Sequence, residues 1–143
     1  MCKLLFLASL LASMTFAQNA MAQVGTYGTP VSSAVVVSFA DNSSAFRPNT
    51  EQAEFLADVK QAALISIRGR TSTNKPTAKD EALAMARALS ARTYLIARGV
   101  SPLKVSVNFA SAADFIADNS TPGGRHENQR VEVELVFVPA FSN

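Results

Sequence analysis

An α+β domain, with two helices laid on one face of a small mixed sheet, is predicted by three observations: four short runs with strand character, two segments whose apolar residues recur at helical spacing, and their order along the chain, β-α-β-α-β-β. The 143 residues suffice for one hydrophobic core and little more, since single cores organise roughly 100 to 200 residues. No internal repeat competes with this two-layer sandwich.

Residues 1–22 are expected to be a secretory signal. Lys3 supplies a positive start, Leu4, Leu5, Phe6, Leu7, Leu10 and Leu11 an apolar stretch, and Ala20-Met21-Ala22 the small-x-small pattern of a cleavage site before Gln23. The competing reading, an uncleaved anchor, is disfavoured because Gln18 and Asn19 cut the apolar run below the roughly 20 residues a spanning helix needs. Cys2, the single cysteine, precedes the apolar run and so cannot carry the lipid of a bacterial lipoprotein. Residues 23–33, with Gly25, Gly28 and Pro30 and no apolar period, are read as a flexible lead-in, residues 34–138 as the folded domain and 139–143 as a tail.

Within the domain, Ala34-Val35-Val36-Val37-Ser38-Phe39 is a β-branched run bounded by turn formers, as a buried strand requires. The loop Asp41-Asn42-Ser43-Ser44 follows, and Asn49 with Gln52 three residues on fits a helix start, whose stripe Phe55, Leu56, Val59 and Ala63 faces the sheet. Leu64–Gly69 alternates apolar and polar side chains as a second strand. Thr77-Ala78-Lys79-Asp80 fits a capping box for a helix running to about Arg98, where Gly99 stops it; Ala84, Ala88, Ala91 and Leu95 give that helix a narrow face for close packing. Lys104–Phe109 and Arg130–Val136 alternate with period two and form the last two strands. The long connection between them, residues 110–129, is expected to contain a short helix at Ala112–Ile116, with Gly123-Gly124-Arg125 as a turn before the last strand.

Composition excludes several functions. Once Lys3 leaves with the signal, twelve Lys and Arg face eleven Asp and Glu, so no basic surplus draws phosphate backbones and nucleic acid is not expected as a partner. His126 is the sole histidine and the mature chain has no cysteine, so no zinc set of nitrogen and sulfur ligands forms and no metal or cofactor is expected. His126 lies in a Gly-rich loop with no nucleophile elbow elsewhere, which argues against a hydrolase and against any enzyme of that type. Gly123-Gly124-Arg125 lacks the Lys-Ser/Thr of a phosphate-binding loop. No second apolar run of spanning length follows the signal.

Three blocks carry a resemblance. After the second strand stands Gly69-Arg70-Thr71-Ser72; in the second helix Asp80, Leu83-Ala84-Met85-Ala86-Arg87-Ala88, Tyr94-Leu95 and Gly99-Val100 keep an ungapped spacing; before the last strand runs Asn119-Ser120-Thr121-Pro122-Gly123-Gly124-Arg125-His126-Glu127-Asn128-Gln129-Arg130-Val131-Glu132. Over roughly Val35 to Val136 the chain resembles the OmpA-like, peptidoglycan-associating family, whose blocks read Gly-His-Thr-Asp, Leu-Ser-x-x-Arg-Ala and Asn-x-Thr-x-x-Gly-Arg-x-x-Asn-Arg-Arg-Val-Glu. The first block departs at two of four positions.

The resemblance implies a non-catalytic pocket for the diaminopimelate of the peptidoglycan stem, whose distal carbon bears an ammonium and a carboxylate. In the family the motif Asp pairs the ammonium and the helix Arg the carboxylate through charge-assisted bonds. Arg87 keeps the second role, and Ser72 offers only a neutral hydroxyl for the first. Asp80, two turns before Arg87, is a candidate compensating charge and equally a capping residue. Thr71 belongs to the same block; Arg125, Asn128 and Arg130 are read chiefly as shaping the loop, and Asn119 as making a local turn bond. Two functions follow from the resemblance: a periplasmic module docking on peptidoglycan at the outer membrane or cell wall, or a degenerate structural subunit of an envelope assembly such as a type IV secretion or conjugation apparatus. Ser72 and Arg70 favour the second, and either implies a protein partner in the envelope.

Overall fold

The structure, a computed structural model, describes residues 28–140; the expected signal, its cleavage site, residues 23–27 of the lead-in and the end of the tail lie outside the described residues. Seven elements follow one another: β1 (Val31–Ser38), α1 (Thr50–Phe55), β2 (Leu64–Arg70), α2 (Ala78–Ala97), β3 (Val105–Ala110), α3 (Pro122–Asn128) and β4 (Arg130–Phe137), with single 3-10 turns at Val59–Gln61 and Pro102–Lys104. The strands form one mixed sheet in the order β1-β4-β2-β3, with β2 and β3 parallel and β4 antiparallel to both its neighbours. The predicted α+β class and the mixed sheet under two helices are what is found, and the short helix of the connection before the last strand lies further along the chain than expected.

Period-two alternation sends Ile65 and Ile67 of β2 and Val131, Val133 and Leu135 of β4 to one face, where they meet Ala88, Ala91 and Leu95 of α2. The helix lies close because its contact face is mostly alanine and because β2 offers Gly69: a Cβ there would sit 2.2 Å from the Ala84 carbonyl oxygen. Thr77 and Asp80 close the expected capping box on α2. On the other face, Arg68 of β2 reaches Glu132 and Glu134 of β4 at 3.1 and 2.6 Å, a half-exposed ladder that solvates that side of the sheet.

Four expectations are corrected. β1 begins at Val31, inside the segment read as a lead-in, because Val31 to Ser33 continue the pairing with Phe137 to Leu135. α1 stops at Phe55, well short of Ala63, although Asn49 and Gln52 form its capping box. Ala63 donates its N–H to the Val136 carbonyl at 2.8 Å and so already belongs to the sheet, and the 3-10 turn still buries Val59 beside Leu56. No helix forms at Ala112–Ile116: Ala112 and Asp114 have φ of 52° and 53°, in the left-handed region that a right-handed helix cannot use. Arg70 binds the Asp114 carboxylate at 2.9 and 2.7 Å, and Arg130 takes its carbonyl at 2.6 Å, so tertiary bonds hold that backbone. The helix of this connection is α3, and the residues read as a turn, Gly123-Gly124-Arg125, lie within it. Thr121 caps it by accepting the Gly124 N–H at 3.0 Å, and Pro122 supplies the first-turn φ.

Candidate functional site

At one end of the sheet the β1–α1 loop, the β2–α2 loop, α2 and α3 enclose a cavity of about 390 Å³, with Asp41, Thr71, Ser72, Asp80, Arg87 and Gln129 in its wall. Five residues singled out in the sequence therefore come together here, counting Arg125. Asn119, Asn128 and Arg130 stand behind the wall.

Arg87 is the centre of the arrangement. It projects from α2 fully buried, at 0 % exposure. Its Nε donates to the Ser43 carbonyl at 2.9 Å, Nη1 to the Arg70 carbonyl at 3.0 Å, and Nη2 to the Ala40 carbonyl at 3.3 Å and to Gln129 Oε1 at 3.1 Å. The Phe39 ring centroid lies 5.1 Å from the guanidinium carbon. All four acceptors are neutral, and among the described residues no carboxylate forms an ion pair with it. Burial lowers the Arg87 guanidinium to about 10, opposed by the Asp41 charge, so it remains a cation at neutral pH. A desolvated cation satisfied only by dipoles favours an incoming anion.

Thr71 is also buried, and its hydroxyl is the buried side-chain polar atom that finds no hydrogen-bond partner among the described residues. Such an orphan costs free energy unless a ligand or water meets it. Ser72 is half-buried, and its carbonyl accepts from Asn119 Nδ2 at 2.6 Å. Asp80 lines the cavity but its Oδ2 accepts the Thr77 N–H at 2.9 Å and hydroxyl at 2.6 Å, bonds that hold its carboxyl below the usual range.

The residues behind the wall fasten the loops. Asn119 bridges Ser72 and Asn74, across more than forty residues, so its bond is not the local one expected; Asp118 makes the local turn instead, accepting the Ser120 N–H at 2.9 Å. Asn128, fully buried, accepts the N–H groups of Ile116 and Ala117 at 2.8 and 3.2 Å and donates to the Ala117 carbonyl at 3.0 Å. Arg130 bonds Glu132 at 2.8 Å and the Asp114 carbonyl, and Arg125 holds the Ser120 carbonyl at 2.9 Å. Gly124 permits this crowding: a Cβ there would fall 1.9 Å from the Asp118 carbonyl oxygen.

Among the wall residues that sequence reasoning passed over, two bear on the pocket's charge. Asp41 was visible only as part of a polar loop. Gln129 stands where the family pattern has an arginine, a departure that signals a change of charge in the pocket.

Fold and cavity together define a small α+β domain whose loops build a polar pocket around a helix-borne arginine, and the OmpA family model matches residues 38–129: the chain belongs to the OmpA family. A Brucella suis biovar 1 protein, whose name places it as an outer membrane lipoprotein of the type IV secretion system, is 30% identical over 124 residues, covering 85% of this chain and 72% of its own. Among solved structures, the cell wall anchor of the type VI secretion system from Pseudomonas aeruginosa aligns with a TM-score of 0.58 at 24% identity, covering 73% of this chain and 80% of that one. The peptidoglycan-associated lipoprotein from Burkholderia pseudomallei aligns at 0.57 and 19% identity, over 73% and 89% of the two chains. Both likenesses concern the fold.

Proposed function

We propose that this domain docks on peptidoglycan without making or breaking bonds, taking the diaminopimelate end of a stem peptide into the cavity at Arg87 and anchoring its bearer in the envelope. The observation that carries the reading is Arg87 itself, a buried cation in the cavity wall with four neutral partners and, among the described residues, no counter-charge in ion-pair contact. A stem carboxylate supplies that counter-charge, and the orphaned Thr71 hydroxyl supplies a further contact. Family membership and the outer membrane relatives support a periplasmic location associated with the outer membrane or cell wall.

A second reading makes the domain a structural part of a secretion apparatus. The Brucella relative favours it, since its name belongs to a type IV secretion system and the likeness spans most of both chains. The neutral Ser72 in the motif block favours it too.

Co-sedimentation of the protein with purified diaminopimelate-type peptidoglycan separates the two. Binding by the wild type that Arg87→Met abolishes supports the wall anchor. Binding only by Ser72→Asp shows an inactive pocket and leaves the assembly role.

A further inference from the structure

We infer that Asp41, held beside Arg87 by Gln129, is the anionic partner for the ammonium group of the ligand, so that the pocket recognises a zwitterionic amino-acid head with its acid on the β1–α1 loop instead of at residue 72. This inference rests on the peptidoglycan reading and names how the same pocket discriminates.

Four observations carry it. Gln129 spans the two charges: its Nε2 donates to Asp41 Oδ1 at 2.8 Å while its Oε1 accepts from Arg87 Nη2 at 3.1 Å. A planar amide between a carboxylate and a guanidinium fixes both and keeps them from collapsing into a direct ion pair, and none forms. Opposite charges held apart in one cavity match a carbon bearing both an ammonium and a carboxylate. Second, an arginine at position 129, as in the family pattern, has no acceptor to offer Arg87 and would add a like charge; glutamine permits the bridge. Third, the other acid in the wall, Asp80, accepts two hydrogen bonds from Thr77 as part of the helix cap, whereas Asp41 accepts one, from the same Gln129 amide that accepts from Arg87. Fourth, Ser72 carries no charge, so an ammonium in this cavity finds its neutralising partner elsewhere or not at all. The loss of an acid at 72, the glutamine at 129 and the acid at 41 thus read as one rearrangement of charge around an unchanged Arg87.

The test compares meso-diaminopimelate with pimelate, which has the same carbon chain and both carboxylates but no amino group. Each is titrated into the full chain and followed by amide chemical shifts, which report millimolar affinities. The wild type is expected to prefer diaminopimelate by at least about tenfold, the size of one lost charge-assisted contact. Asp41→Asn is exposed and isosteric; it should abolish the preference for diaminopimelate over pimelate. Adding Ser72→Asp to that variant should restore the preference. If Asp41→Asn keeps the full preference, the assignment of Asp41 is overturned while the Arg87 pocket stands. If the wild type binds neither compound, or binds both equally in the presence and absence of the Arg87 side chain, the peptidoglycan reading falls and this inference falls with it.

Discussion

Arg87 and Arg130 are both buried arginines, at 0 % and 1 % exposure, yet they sit in opposite electrostatic surroundings. Arg130, at the start of β4, meets Glu132 through its Nε at 2.8 Å and caps the Asp114 carbonyl, so its charge is cancelled inside the protein. Arg87, on α2, has four neutral acceptors and no carboxylate in direct contact among the described residues. A buried charge paired by the fold is structural, and removing either partner is costly; a buried charge met only by dipoles is held ready for something outside the chain. Hydrogen-bond counting alone would rate the two alike.

The largest effect is expected at the paired site. Arg130→Met should lower stability by about 3 kcal/mol, because it strips Glu132 of one partner and frees the Asp114 backbone, with Arg68 still holding the other Glu132 oxygen. Urea denaturation measures this, and an unchanged midpoint would mean that the Arg130 pairing does not stabilise the fold. Arg87→Met should cost less, about 1–2 kcal/mol for carbonyls left without donors, while peptidoglycan co-sedimentation is lost.

Thr71→Val sharpens the comparison from the other side. Its hydroxyl has no partner, so the isosteric change should leave stability unaltered or raise it by up to ~1 kcal/mol in thermal melts and weaken ligand binding severalfold. A clear loss of stability would mean that the hydroxyl is satisfied within the domain.

The smallest effect separates both arginines from the acidic groups. Glu81 is held below its usual range by the Ser111 hydroxyl and N–H, and Asp80 by Thr77. Carboxyls with depressed folded values contribute stability above their unfolded values near 4 and lose it as pH falls through the folded ones. Unfolding midpoints should therefore fall below about pH 4, and Glu81→Gln should flatten that decline, whereas neither arginine changes charge in this range. An unaltered acid profile in Glu81→Gln would show that the Ser111 contact does not couple to folding.

The strands and α2 were legible because their signals are local: alternation in Leu64–Gly69 and Arg130–Val136, and a capping box ahead of an alanine stripe, each lie within one element. Arg87 was legible through a motif whose spacing is carried by that same helix. Asp41 and Gln129 were not, since they lie 88 positions apart and meet only when β1 and β4 pair. The helix expected at Ala112–Ile116 failed for the same reason, as Arg70 and Arg130 hold Asp114 from other strands.

By itself, then, the sequence determined the layers, because which side chains face the core follows from spacings of two and of three to four residues within a segment. Only the tertiary structure decided how the cavity is charged. Where the end of α1 lies and which acid stands beside Arg87 both depend on contacts between distant segments, and no local period encodes those.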